Sequence, residues 1–121
     1  MDTALFIIII KGVLTLFFVF ASSIKLLGWQ KDIYLIQLEM FKKFGISRHQ
    51  MFLIGLVELT GVLLLWLPGN LGFTGAFLLL ATSVGAISFH LRFDSPKDAM
   101  PAMFTMILSS VVLYLAYPIV F

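Results

Sequence analysis

The sequence predicts an all-α membrane protein, an antiparallel bundle of four transmembrane helices with a short interfacial helix between the first and second. Three observations carry that expectation. Hydrophobic residues make up 61% of the chain and charged residues only 12%, whereas soluble domains average about 45–50% and 25%. Four apolar runs each approach the ~20 residues a helix needs to cross roughly 30 Å of hydrocarbon. None of them alternates with the two-residue period of a barrel strand, so helices, which pair their own backbone groups, are the way across. With 121 residues the chain reads as one membrane domain, since domains run to about 100–150 residues.

The first run, 4–24, lacks a basic segment before it and is too long for a signal peptide's apolar core, so it reads as a retained helix. The stretch "KDIYLIQLEMFKKFG" follows, with Ile33, Ile36, Met40, Phe41 and Phe44 at helical spacing and charged residues elsewhere on the wheel. This is the pattern of a helix lying on anionic headgroups, or of a cap packed across the mouth of the bundle. The second run, 49–67, ends at Pro68-Gly69-Asn70, a turn short enough to force a helical hairpin with the third run, 71–90. Pro101 opens the fourth run, 101–120, where its missing N–H costs nothing. Trp29, Trp66, Tyr114 and Tyr117 fall near the predicted ends, as an aromatic belt requires.

Basic residues follow the connections. Lys25, Lys31, Lys42, Lys43 and Arg48 stand between runs one and two, and Arg92 and Lys97 between three and four. The net charge of +2 and pI near 9.1 therefore call for no nucleic acid; by the positive-inside tendency both connections are cytoplasmic and both termini extracytoplasmic. Lys11, inside the first run, opposes that bias if it snorkels toward the terminus.

Glu58, in "GLVELTG", is the least expected residue. It lies roughly 13 Å along the second helix from the expected cytoplasmic end, where an ionised carboxylate costs at least ~2.5–3.5 kcal/mol. On the first helix Lys11, Thr15, Phe18, Ser22 and Lys25 share a face, and His90 closes the third helix on the same side, so Lys25, Glu58 and His90 are expected to converge, with Ser22 beside Lys25. Gly55 and Gly61 flank Glu58 and permit close helix approach, while Thr15, Ser83, Thr105 and Ser109 read as packing polar groups. The convergence admits two readings: a ligand-binding or proton-accepting site, or a structural latch between helices one and two. His90 alone is as readily a residue favouring its helix dipole.

The stretches "FASSIKLLG" (Phe20–Gly28), "GLVELTG" (Gly55–Gly61) and "AISFHL" (Ala86–Leu91), followed by Pro101-Ala102, resemble in order and spacing the DoxX-like family of small membrane proteins. The resemblance implies a four-helix bundle in a prokaryotic cytoplasmic (inner) membrane and maps the family's Lys, Glu and His onto Lys25, Glu58 and His90. It also implies association with quinone-dependent sulfur oxidation and membrane redox complexes, with receptor assembly among distant relatives. Where the family often carries Arg early in the first helix, this chain has Lys11.

With no cysteine there is no thiol relay, and neither cysteine-ligated zinc nor an iron–sulfur cluster is expected. His49 and His90 are too few to argue for haem, and no phosphate loop or nucleophile triad is present. No catalytic residue is assigned. The function expected is that of an accessory subunit of a redox complex binding a quinone or other amphipathic molecule at Lys25, Glu58, His90 and Ser22. The alternative is an assembly partner for another membrane protein or for a second copy of the chain. A transporter is less well supported, since the chain lacks the paired repeats of secondary transporters.

Overall fold

The computed structural model describes residues 2–117, and these are helical throughout their length apart from short connections. In chain order the helices are α1 (Thr3–Leu27), α2 (Lys31–Lys43), α3 (Arg48–Leu65), α4 (Gly69–Phe93) and α5 (Met100–Ala116). Three of them, α1, α3 and α4, are long and apolar enough to cross a membrane, with mean hydropathies of 2.6, 1.3 and 1.7. The helix expected over 101–120 is represented by the 17 residues of α5, at the short end of the spanning range; the last three residues of that expected run lie outside the described residues.

Local signals set most boundaries. Asp2 caps α1, its carboxylate accepting from the Ala4 N–H at 3.2 Å. The helix runs past the expected Ile24 because its first residue with positive φ is Gly28, at 63°, the glycine end that helices favour. Ser47 and Gln50 form a reciprocal capping box at the start of α3, which moves that end one residue ahead of expectation. Pro68 stands at the N-cap of α4, so the connection from α3 keeps three residues but lies two positions ahead of the expected Pro-Gly-Asn turn. Beyond His90, Leu91, Arg92 and Phe93 hold no helix breaker, and α4 continues until Asp94 leaves helical geometry.

Packing follows from small residues. α1 contacts α3 and α5, α4 contacts the same two, and α2 touches α1 and α3 more lightly. A Cβ on Gly75 would lie 2.5 Å from the Leu65 nitrogen and 2.6 Å from the Gly61 oxygen, so the backbones of α3 and α4 meet there. Gly55, the other glycine flanking Glu58, faces α1 instead: its Cβ would sit 3.0 Å from that of Lys25. The apolar core gathers Ile10, Leu14, Phe18, Val62, Leu65, Ala76, Leu79 and Val112. Outside it the surface is apolar as well, with Leu16 76% and Leu63 64% exposed, which is the outside of a protein dissolved in lipid rather than in water.

Further along α4 the interior turns polar. Ser83 of α4 and Thr105 of α5, both buried, share a hydrogen bond of 2.7 Å, the interhelical contact expected of hydroxyls in membrane helices. α2 carries no buried residue of its own. It begins where the Gln30 side chain accepts from the Ile33 N–H and sets Met40 and Phe41 against the chamber of the bundle, while Ile36 at its rim is 67% exposed. These contacts favour the cap reading of α2.

Candidate functional site

Lys25 reaches the interior from the last turn of α1, where a cation also suits the helix dipole. Glu58 sits one turn after Gly55 on α3, and the missing Cβ at Gly55 lets the Lys25 stem pass. The two side chains are more than nine-tenths buried, and Lys25 Nζ lies 3.0 Å from Glu58 Oε1. The neighbour that neutralises Glu58 is thus on the preceding membrane helix. The distance is that of an ion pair, and Lys25 is the one donor placed near Glu58 Oε1 among the described residues. Lys25 also stands 5.9 Å from the centre of the Phe41 ring of α2, within the range of a cation–π contact.

His90 arrives from the last turn of α4. Its Nδ1 is 3.1 Å from Asp94 Oδ2, one helical turn on. A carboxylate at that nitrogen favours the Nδ1–H tautomer in the neutral ring and leaves Nε2 as an acceptor. Asp94 is shared: Lys43 of α2 pairs with its other oxygen. That hydrogen bond, joined by the one from His90 and opposed by partial burial, holds the Asp94 carboxyl below the ordinary carboxylate value. Phe44 completes the junction, stacked on Phe89 at 5.3 Å and edge-on to His90 at 5.2 Å. The C-terminal end of α2 is fastened to the end of α4 through both charge and ring contacts.

Between these elements lies a cavity of about 1010 Å³. Lys25, Glu58 and His90 all line it, so the three residues expected to converge share one chamber, although His90 is tied to Asp94 rather than to the Lys25–Glu58 pair. Ser22 does not line it. That residue is 1% exposed and its hydroxyl donates to the Val19 carbonyl at 3.2 Å, which leaves it a helix-packing residue one turn from the chamber. The remaining walls are largely aromatic and aliphatic, with Phe17, Phe18, Phe41 and Phe89 among them. A chamber with apolar walls and a few convergent polar groups is the usual form of a small-molecule site.

Several polar residues that line the chamber were not anticipated from the sequence, Gln37 and Asp94 foremost among them. Gln37 of α2 lines it, and its Oε1 is buried without a hydrogen-bond partner. Its spacing to Phe41 and Phe44 puts it on the inward face of α2, a signal present in the periodicity but masked by Glu39 and the lysines around it. Asp94 had a simpler signal, four residues beyond His90. Among the described residues no group of three His, Asp or Glu side chains is placed to hold a metal ion.

Lys11 takes no part in this site. It lies about 21 Å further back along α1, with Nζ 5.8 Å from the Trp66 ring and 5.9 Å from that of Tyr117. The Trp66 indole N–H donates to Thr15 Oγ1 at 2.8 Å, so this end of the bundle is closed by a cation between two rings.

A sequence profile described as the DoxX-like family matches residues 9–113. No curated protein and no solved structure matches the chain.

Proposed function

The chain belongs to the DoxX-like family and is an integral membrane protein, and from that premise we propose that it binds a small amphipathic molecule, of quinone size and character, in the chamber beneath α2. On this reading α1, α3, α4 and α5 cross the bilayer as one antiparallel four-helix domain of a prokaryotic cytoplasmic membrane. The basic connections containing α2 and Lys97 face the cytoplasm and both termini the other side. Lys25, Glu58 and His90 receive the polar head, Phe17, Phe41 and Phe89 the apolar body, and the protein acts as an accessory subunit that holds its ligand for a membrane redox complex.

One observation carries the reading: Glu58, buried with the Lys25 ammonium as its one partner 3.0 Å away, faces a chamber of about 1010 Å³ with further acceptor capacity on its carboxylate. A group that served stability alone would be saturated by its partners. The chamber's volume also matches the upper range of small-molecule pockets, roughly 300–1,000 Å³.

A second reading, the structural latch of an assembly partner, is favoured by the closeness of the pair itself, 3.0 Å across α1 and α3. Purification of wild type and Glu58→Gln in native lipid particles, with mass spectrometry of the retained small molecules, separates the two. Binding predicts an amphipathic compound held in near-stoichiometric amount by the wild type and lost from a still-folded variant. Equal retention by the two proteins, or no retained compound in either, would refute the binding site and leave the latch.

A further inference from the structure

We infer that the polar end of the bound molecule is a hydroxyl, of the alcohol or phenol class, donating its one proton to Glu58 Oε1, with Gln37 Oε1 of α2 as the alternative acceptor of that proton. The inference rests on the binding reading above and names the chemistry of its ligand. Both oxygens are buried and both residues line the chamber; Gln37 Oε1 has no hydrogen-bond partner, and Glu58 Oε1 has only the Lys25 ammonium, 3.0 Å away. An ion-paired carboxylate and an amide oxygen only accept. A ketone, quinone or ether has no proton to give either oxygen. A cationic head would meet their need for donors but would stand against the Lys25 ammonium, 3.0 Å from Glu58 Oε1. A hydroxyl fits better: its one proton goes to one of these oxygens, and its own oxygen can accept from the ammonium. Gln37 thereby makes α2 part of the site as well as its cover.

Matched probes test this on the full-length protein in lipid nanodiscs: para-dodecylphenol and its methyl ether, which differ only in the donated proton. Retention is measured against protein-free discs, so that partition into lipid cancels. The phenol is expected to bind roughly ten- to a hundredfold more tightly than the ether, the range of a hydrogen bond to a charged acceptor. Gln37→Leu should weaken the phenol several-fold and leave the ether unchanged, the unchanged ether reporting that α2 is still folded. Glu58→Gln, which supplies an amide N–H, should narrow the preference for phenol. Equal affinity of the two probes for the wild type would mean that water serves these oxygens, and would overturn the inference while the binding reading stood. Failure of both probes to bind would overturn the two together.

Discussion

Replacing the members of the Lys25–Glu58 pair singly and together gives the sharpest test of the buried charge arrangement. At 3.0 Å two unit charges attract by about 5.5 kcal/mol at an effective dielectric near 20. Stripping water from both groups costs a comparable amount, so the pair as a whole adds little net stability. The single replacements are a different matter. Glu58→Gln leaves the Lys25 ammonium, and Lys25→Met leaves the Glu58 carboxylate, in a site less than a tenth exposed, and each is expected to cost about 3–5 kcal/mol. Lys25→Met should be the worse of the two, because Glu58 has the shorter side chain and no route along it to the interface, whereas lysine can snorkel. The double variant should return to within about 2 kcal/mol of wild type, an amide beside a thioether being far cheaper to bury than one unpaired charge. Equilibrium unfolding of the detergent-solubilised protein by SDS titration measures all four corners of the cycle. Costs that simply add in the double variant, or a neutral Glu58→Gln, would refute the paired geometry on which the site is built.

Two further outcomes follow from contacts elsewhere. Gly75→Ala drives a methyl group to 2.5 Å from the Leu65 nitrogen and 2.6 Å from the Gly61 oxygen; backbone cannot swing aside, so overpacking should destabilise by about 1–3 kcal/mol, while Gly85→Ala on the same helix meets nothing within 4 Å and should be neutral or gain up to about 1 kcal/mol in the same titration. Asp94, whose carboxyl is held below its ordinary value of 3.8 by Lys43 and His90, contributes stability that is fully present above that pH and is lost as pH falls through its lower value in the folded protein. The melting-temperature difference between wild type and Asp94→Asn should therefore shrink as pH falls below about 4; a difference that persists undiminished well below that pH would contradict the Lys43–Asp94–His90 contact.

Much of the architecture could be read without coordinates because it is written in neighbouring residues. Apolar runs of spanning length, a Pro-Gly turn and a proline in a first helical turn each act within a few positions of themselves, so the helices are recovered nearly to their ends. The errors fall where a local stop is weak, as past His90, where nothing before Asp94 interrupts α4. The strangeness of Glu58 was also visible, since an unbalanced carboxylate among leucines is costly wherever the helix goes. Lys25 and His90 came from shared wheel faces and from family resemblance, and Ser22 came with them because a wheel assigns a direction but not a contact. Its hydroxyl instead satisfies itself on the Val19 carbonyl.

The chain by itself thus determined the solvent, the helical segments and the demand that Glu58 find a partner, because hydrophobicity, capping and desolvation are properties of a residue and its near neighbours. Which partner it found was decided in three dimensions. Gly55 sets α1 close enough for Lys25 to reach across, and the Gly61–Gly75 contact fixes α4 against α3. The Lys43–Asp94 and Phe44–Phe89 contacts draw α2 over the chamber. The size of that chamber and the two oxygens left facing it depend on how four helix surfaces fit at once, a quantity no single stretch of sequence contains.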